Sequence, residues 1–228
     1  MALHDELSTE VGRIFRERWD VTKGTVVPES EDIALGNEGV ELDATVLYAD
    51  LAESTNLVKQ HSVDFAGEVY KTYLYCAAKI IRSEGGEITA YDGDRVMAVY
   101  VGATKNSSAT RTALKINYAV REIINPALNA VYRNGYKVQQ VVGLDTSALR
   151  AARTGVRGAN DLVWIGRAAN YAAKLTALDA NYPSNITEGV YSRLMDEVKT
   201  SQGKPMWEKF TWRITGENIY RSTWQWRV

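Results

Sequence analysis

The stretch ATVLYADLAEST, residues Ala44 to Thr55, decides how the fold of this chain is interpreted. Its apolar run Val46 to Ala49 predicts a buried strand, and Asp50 follows where that strand ends. A carboxylate there is costly unless a cation, hydrogen-bond donors or water lie beside it. Ser54 then opens a polar segment ahead of an apolar pair, which predicts a helix start. A strand that ends at an acid, followed by a turn and a helix N-terminus, would form a suitable site for a metal-bound phosphate. A strand followed by an Asp that caps the helix explains the stretch about equally well.

Composition limits the function classes that remain open. A chain of 228 residues suits one domain, or one domain with an extension. Lys and Arg number 27 against 28 Asp and Glu, so no overall basic field favours nucleic acid as a partner. The single cysteine, Cys76, excludes an internal disulfide, and two histidines add too little for a Cys/His zinc site. No signal peptide or long apolar run occurs, so we expect a cytoplasmic protein without a membrane span.

The first 43 residues differ in pattern from the rest. Apolar residues recur at spacings of three and four between Leu3 and Trp19, which predicts an amphipathic helix. The segment Val21 to Asp43 contains glycines and a proline without sustained periodicity, so it predicts a linker or arm. We therefore expect an N-terminal helix and arm over 1–43 and one functional domain over 44–228.

A helix and a hairpin are expected after the opening stretch. Apolar residues from Phe65 to Ile81 predict a long helix that Gly85 and Gly86 end. The period then changes to two over Glu87–Tyr91 and Arg95–Val101, and the Asp92-Gly93 pair between these runs predicts a β-hairpin. Asp94 therefore lies at the tip of the hairpin.

The remaining elements alternate between helix and strand. Ser107 or Ser108 is expected to cap the next helix, and the segment Ser147–Asn160 predicts a strand followed by a mobile loop. The full set comprises helices over 109–124, 126–133, 167–178 and 188–198, strands over 138–144, 162–165 and 185–187, and a terminal hairpin that turns at 215–218. Four tryptophans near that hairpin suggest either a base-stacking surface or aromatic core packing, and the near-neutral charge favours packing.

Two acids and two polar helical residues carry the candidate chemistry. The carboxylates of Asp50 and Asp94, if brought together, favour Mg²⁺ or Mn²⁺ over zinc. Paired metal ions about 4 Å apart clamp the oxygens of an in-line phosphoryl displacement. Asn170 and Lys174 share a helix face, where one can hold a hydroxyl and the other can neutralise phosphate charge. Taken singly, such residues on an alanine-rich helix are more often simply solvated.

Three segments, in order, resemble the class III nucleotidyl cyclases. They are LYADLAEST at 47–55, GGEITAYDGDRVMAVY at 85–100 and VWIGRAANYAAKL at 163–175, and the resemblance extends over roughly 42–226. It implies an α/β (α+β) ferredoxin-like catalytic domain over 44–228, a nucleoside triphosphate substrate and two divalent cations, Mn²⁺ or Mg²⁺. It also implies a head-to-tail homodimer whose active sites are shared between the chains.

The resemblance assigns roles position by position. Asn170 matches the ribose-orienting asparagine, and Lys174 stands where the family has a transition-state arginine. The metal site is implied for Asp50, Leu51 through its carbonyl, and Asp94, and phosphate-binding amides for Ala52, Glu53, Ser54 and Thr55. In the implied dimer, the two acids of one chain meet Asn170 and Lys174 of the other.

Two positions differ from those of the purine cyclases, and both bear on which nucleotide base the protein recognises. Ala90 and Val163 stand where adenylate cyclases carry polar adenine readers, and neither can contact a purine edge. Tyr91, Arg95 and Trp164 lie nearby and could serve a pyrimidine. The chain thus looks like the pyrimidine cyclases of bacterial anti-phage signalling. We expect UTP to be converted to 3′,5′-cyclic UMP and pyrophosphate; the alternatives are a cytidylate or adenylate cyclase, a catalytically dead nucleotide-binding homologue, or an interaction module built on the tryptophan-rich end.

Overall fold

The computed structural model describes residues 2–228 as eight α-helices and eleven β-strands. The helices are α1 (Leu3–Arg16), α2 (Ser54–Gln60), α3 (Val63–Ser83), α4 (Lys105–Tyr118), α5 (Asn125–Tyr132), α6 (Arg167–Leu175), α7 (Glu188–Tyr191) and α8 (Asp196–Lys199). The strands are β1 (Asp20–Lys23), β2 (Glu38–Leu51), β3 (Glu87–Asp92), β4 (Arg95–Tyr100), β5 (Gln140–Val156), β6 (Ala159–Ile165), β7 (Ser184–Thr187), β8 (Thr200–Ser201), β9 (Lys204–Pro205), β10 (Glu208–Thr211) and β11 (Asn218–Ser222). A π-helical segment, Ala119–Ile124, joins α4 to α5.

One nine-stranded sheet organises the chain, in the order β10-β11-β7-β5-β2-β4-β3. In addition, β1 pairs with β2, and β6 pairs with β5. Residues 44–51 of the opening stretch form the second half of β2, which lies antiparallel between β4 and β5. Because both of its edges are paired and its residues 44–47 are fully buried, a continuous apolar run is the pattern expected of this strand.

The two faces of the sheet are covered differently. A large core packs α3 and α4 against one face, with Leu47, Tyr73 and Leu114 among its fully buried members. A smaller core on the other face packs Val46 and Met97 against the buried alanines of α6. Small side chains let a helix lie close to a sheet, and this explains the alanine content of α6.

Several boundaries differ from the sequence predictions. The arm 21–43 is not wholly irregular, since β1 and the first six residues of β2 lie within it. β2 therefore crosses the proposed division between residues 43 and 44, and that division stays a prediction. The mobile loop expected after the strand in Ser147–Asn160 does not form, because β5 continues to Val156 and pairs with β6 in a long antiparallel hairpin. Two short helices, α7 and α8, replace the single helix expected over 188–198.

The terminal tryptophans pack within the protein. Trp207 and Trp212 are buried, and Trp224 and Trp226 are partly buried against the large core. The packing interpretation of these residues is therefore confirmed. No helix among residues 2–228 is long and apolar enough to cross a membrane.

Candidate active site

Asp50 lies near the end of β2, beside the tip of the β3–β4 hairpin. The register pairs Ala49 with Val96, which brings Asp50 level with Arg95 at the start of β4. Asp50 also lines a polar cleft of about 540 Å³ formed with Leu51–Glu53, Gln139 and the segment after α6. The predicted strand end thus opens directly onto a cleft.

Asp94 lies in the two-residue turn of the hairpin, as the Asp-Gly signal predicted. Asp92 pairs with Arg95, so the turn consists of Gly93 and Asp94, and Gly93 adopts a φ of +62° that suits glycine. The Oδ2 atom of Asp94 is buried and makes no hydrogen bond within residues 2–228. An orphaned carboxylate oxygen indicates a missing positive partner.

The two acids influence each other electrostatically. Burial raises the pKa of Asp50, and the neighbouring charge of Asp94 raises it further, while Arg95 opposes both effects. Arg95 itself forms an ion pair with Asp92 at 2.8 Å and lies over the ring of Tyr48. The structure therefore brings Asp50 and Asp94 into one site, where a cation would relieve their repulsion.

Two further residues at this site were missed by sequence reasoning. Tyr73 of α3 is fully buried, its hydroxyl has no hydrogen-bond partner in the described chain, and the charges of Asp50 and Asp94 add to the burial that raises its pKa. The Thr176 hydroxyl lies 3.3 Å from Asp50 Oδ2 and 2.8 Å from the Ala173 carbonyl oxygen. Nothing in the helical apolar pattern distinguishes Tyr73 from its neighbours, because its importance depends on the nearby charges of Asp50 and Asp94, which come from distant parts of the sequence.

The loop after Asp50 leads into α2. Glu53 has a left-handed backbone, and its amide and those of Ser54 and Thr55 make no hydrogen bond within residues 2–228. The amide of Ala52, in contrast, donates to the Gln139 carbonyl at 2.9 Å. Of the four predicted phosphate-binding positions, Ala52 therefore does not have a free amide.

Asn170 and Lys174 lie on the exposed face of α6. The opposite face of the helix is buried against the sheet through Ala168, Ala169, Ala172 and Leu175. Asn170 hydrogen-bonds only to the Gly166 carbonyl, at 3.3 Å, and Lys174 forms no ion pair in the described chain. Neither side chain is hydrogen-bonded to Asp50 or Asp94 of its own chain, although Thr176, just after α6, lies 3.3 Å from Asp50 Oδ2.

Arg167, the first residue of α6, is held by a buried acid. Its guanidinium donates to both oxygens of Asp145, at 3.1 and 3.2 Å, and to the Thr146 carbonyl. Asp145 is fully buried and also accepts from Thr187, while burial raises its pKa despite these partners. Arg167 thus fixes the start of α6, and this engagement leaves Lys174 as the cation on the exposed face.

The predicted base-reading positions lie on the hairpin and on β6. Ala90, Tyr91 and Val163 are exposed, whereas Arg95 and Trp164 are half-buried. Trp164 packs against the smaller core, and its neighbours on β6 approach β3 across a cleft. β3 and β6 therefore line one cleft within the same chain.

Comparison with known proteins agrees with this geometry. No protein-family model matches the chain. The adenylyl cyclase CyaB from P. aeruginosa superimposes with a TM-score of 0.71 at 21% identity, covering 83% of this chain and 98% of that one. The fold is that of a class III nucleotidyl cyclase catalytic domain.

Sequence comparison identifies the family within this class to which the chain belongs. A protein of Xanthomonas perforans named uridylate cyclase is 53% identical over 231 residues, and one of Burkholderia cepacia with the same name is 53% identical over 230; each match covers all of both chains. The chain belongs to the uridylate cyclase family of class III nucleotidyl cyclases, which are lyases. The family resemblance inferred from the three motifs is confirmed.

Proposed function

We propose that this protein is a metal-dependent uridylate cyclase that converts UTP to 3′,5′-cyclic UMP and pyrophosphate. The observation that carries the proposal is the electrostatic coupling of two neighbouring acids, Asp50 and Asp94, of which Asp50 lines an open polar cleft. The relatives named uridylate cyclase support UTP as the substrate. The exposed and apolar side chains at the positions of Ala90 and Val163 support a base other than adenine.

The donor set of the site fits a hard divalent cation. The available groups are carboxylate oxygens, one of them buried and unpartnered, and such ligands favour Mg²⁺ or Mn²⁺. Residues 2–228 contain no group of three or more acids, histidines or cysteines that could hold a metal ion. The remaining ligands would be the Leu51 carbonyl, as the family resemblance implies, and phosphate oxygens of the substrate. Bound there, two divalent cations would lower the pKa of the ribose 3′-hydroxyl and neutralise charge on the phosphates.

The residues of α6 complete the chemistry. Asn170 orients the ribose by hydrogen bonding, and the Lys174 ammonium stabilises the negative charge that develops on the α-phosphate as pyrophosphate leaves. The amides of Glu53, Ser54 and Thr55 bind phosphate oxygens at the start of α2. A lysine supplies the charge of the family arginine without its planar fork, so we expect a less tightly positioned contact.

A homodimer joins the two halves of the site. In one chain the acids lie near the end of β2 and in the β3–β4 turn, and Asn170 and Lys174 face away from the sheet. We infer that α6 of a second copy, arranged head to tail, presents these two side chains to Asp50 and Asp94. Two equivalent sites per dimer follow from the two-fold symmetry.

The test is a product assay with the full chain. The purified protein is incubated with Mn²⁺ and, in turn, UTP, CTP, ATP and GTP, and products are separated by chromatography against cyclic nucleotide standards. Cyclic UMP from the wild type and none from Asp50→Asn or Asp94→Asn is the expected result. No cyclic product from any triphosphate refutes the proposal.

Two other outcomes identify the alternatives. Faster turnover of CTP or ATP than of UTP would leave the chemistry in place and overturn the base assignment. Nucleotide binding without turnover, equal in the wild type and in Asp50→Ala, would indicate a dead homologue.

A role for the product as a second messenger in antiviral defence stays a prediction from the family resemblance, as does a cytoplasmic location. We expect cells that carry the wild-type gene with its genomic neighbours to resist phage, and cells that carry Asp50→Asn to lose that resistance. Equal plaque numbers on the two strains contradict this role.

A further inference from the structure

One hydrogen bond ties the end of α6 to Asp50 of the same chain. Thr176 follows α6 directly, and its hydroxyl lies 3.3 Å from Asp50 Oδ2. Both residues line the same polar cleft. Within residues 2–228 no other side chain hydrogen-bonds to Asp50. The segment that resembles the transition-state helix ends at Leu175, so the resemblance gives Thr176 no role.

Thr176 is held firmly at the end of the helix. The residue is 8% exposed, its β-branched side chain has restricted rotation, and its hydroxyl donates to the Ala173 carbonyl at 2.8 Å. A hydroxyl has one hydrogen to donate, and three-centre bonds that divide one hydrogen between two acceptors are common at helix ends. The hydroxyl is therefore fixed to α6 by one acceptor and directed at Asp50 as the other.

The Asp50 carboxylate needs such a contact to keep one orientation. The χ2 torsion of aspartate is broad, so rotamer preference alone does not fix the plane of the carboxylate. A hydrogen bond from a rigid neighbour selects one orientation of that plane. A carboxylate has about four lone-pair sites, so the bond from Thr176 leaves others for a cation.

Lys174 and Thr176 lie on different sides of α6. Residues two apart on a helix are rotated by about 200° and do not face each other. Lys174 is exposed, whereas Thr176 is buried and directed at the end of β2, where Asp50 lies. One short helix therefore presents a cation on one side and a contact to Asp50 on the other.

We propose that Thr176 is a positioning residue that orients the Asp50 carboxylate for a divalent cation, and that α6 thereby serves both active sites of the dimer. The inference rests on the proposed function and deepens it. The exposed face of α6 supplies Asn170 and Lys174 to one site, and Thr176 braces Asp50 of the other. Carboxylates that ligate a metal are themselves hydrogen-bonded, and loss of such a partner lowers metal affinity or activity by about 10- to 100-fold.

Binding of Mn²⁺ without nucleotide is the first test. Free Mn²⁺ is measured by electron paramagnetic resonance in titrations of the wild type, Thr176→Val and Thr176→Ser. Valine keeps the branched shape and loses the hydroxyl, whereas serine keeps the hydroxyl. We expect Thr176→Val to weaken about tenfold the Mn²⁺ binding that Asp50→Asn abolishes, and Thr176→Ser to retain it. Equal Mn²⁺ affinities of the wild type and Thr176→Val overturn the inference.

Thr200→Val is the matched control. Thr200 also follows a short helix, α8, and its hydroxyl donates to the Asp196 carbonyl at 3.3 Å without contacting a carboxylate. This variant loses the same kind of helix-end hydrogen bond and should keep the wild-type Mn²⁺ affinity. A tenfold loss in Thr200→Val as well would attribute the effect to helix ends in general and overturn the inference.

Subunit mixing tests the role of α6 in both sites. A Lys174→Ala chain paired with an Asp50→Ala chain leaves one working site, to which the first contributes Asp50 and the second contributes α6. Thr176→Val added to the Lys174→Ala chain should raise about tenfold the Mn²⁺ concentration that gives the half-maximal rate, with the rate at saturating Mn²⁺ unchanged. Added to the Asp50→Ala chain, it should change neither value. The reverse result, or equal effects of both placements, contradicts the inference.

The binding measurement separates this inference from the proposed function. Weaker Mn²⁺ binding by Thr176→Val supports the role of Thr176 even if the wild type forms no cyclic product. Unchanged Mn²⁺ binding by Thr176→Val, or wild-type Mn²⁺ binding that does not depend on Asp50, overturns the inference even if the wild type is an active cyclase.

Discussion

Gly143 controls how closely α6 approaches the sheet, and Gly143→Ala is the change that tests this. A Cβ at residue 143 would lie 2.2 Å from the carbonyl oxygen of Ala172 and 2.7 Å from Leu175 Cβ. Raising the first separation to the 3.4 Å of an ordinary contact requires ~1.2 Å of displacement between β5 and α6. The obstacle is helix backbone, so no side-chain rotation relieves it.

The displacement moves the whole exposed face of α6. Asn170 and Lys174 are carried by this short helix, and a misplacement of about 1 Å at a reacting group can lower the rate about 100-fold. We therefore expect Gly143→Ala to remain folded and to lose about two orders of magnitude in kcat. The assay is steady-state formation of the cyclic product, with circular dichroism and thermal unfolding to check the fold.

Gly67→Ala is the matched control. Gly67 lies within α3, and a Cβ there meets no atom within 4 Å. Alanine in a helix interior is more favourable than glycine by about 0.5–1 kcal/mol, so this variant should be slightly more stable and equally active. A folded Gly143→Ala protein with wild-type kcat refutes the claim that the position of α6 governs the chemistry.

Three further predictions follow from the site. Asn170→Ala and Lys174→Ala should each lower kcat by about 100- to 1,000-fold. Because both side chains are exposed, the free energy of unfolding should change by less than about 0.5 kcal/mol. A loss of stability in urea titrations that matches the loss of activity contradicts this. Because the folded-state pKa of Asp50 is raised above its usual 3.8, metal-free protein should lose stability as the pH rises from 3.8 through the raised pKa. Asp50→Asn should remove this loss. Identical curves of stability against pH for the wild type and Asp50→Asn would contradict the prediction. Arg167→Met should lower the free energy of unfolding by about 2–3 kcal/mol, because it leaves Asp145 buried and charged; the loss is limited because about half of the Arg167 side chain is exposed. Adding Asp145→Asn should recover part of that loss. Equal unfolding midpoints for the single and double variants would argue against this explanation.

Much of the candidate site follows from local sequence patterns. The end of β2 at Asp50 and the β3–β4 hairpin at Asp94 are both predicted, because an apolar run that ends at an acid and an Asp-Gly pair are short-range signals. The exposed face of α6 with Asn170 and Lys174 follows from helical periodicity for the same reason.

The parts that were not predicted depend on contacts between distant segments. Ser107 or Ser108 was expected to cap α4, yet both lie inside the helix and are buried. The Oγ of Ser107 accepts a hydrogen bond from the Met195 amide. The β5–β6 hairpin was missed because glycines and arginines indicate a loop. In the structure β6 alternates between exposed and half-buried residues, but its sequence, ANDLVWI, does not alternate between apolar and polar residues, so this pattern could not be predicted. Tyr73 and Thr176 cannot be identified as neighbours of the acids without the tertiary structure.

The central claim is that each active site combines Asp50 and Asp94 of one chain with Asn170 and Lys174 of another, and subunit mixing tests it most directly. As homodimers, Asp50→Ala should be inactive and Lys174→Ala should keep about one hundredth of the wild-type rate or less. Mixed after reversible dissociation, half of the dimers pair one chain of each kind and contain one intact site, so cyclic product formation should recover to about a quarter of the wild-type rate. A mixture that is shown to exchange subunits and yet remains as inactive as its parents contradicts the shared site.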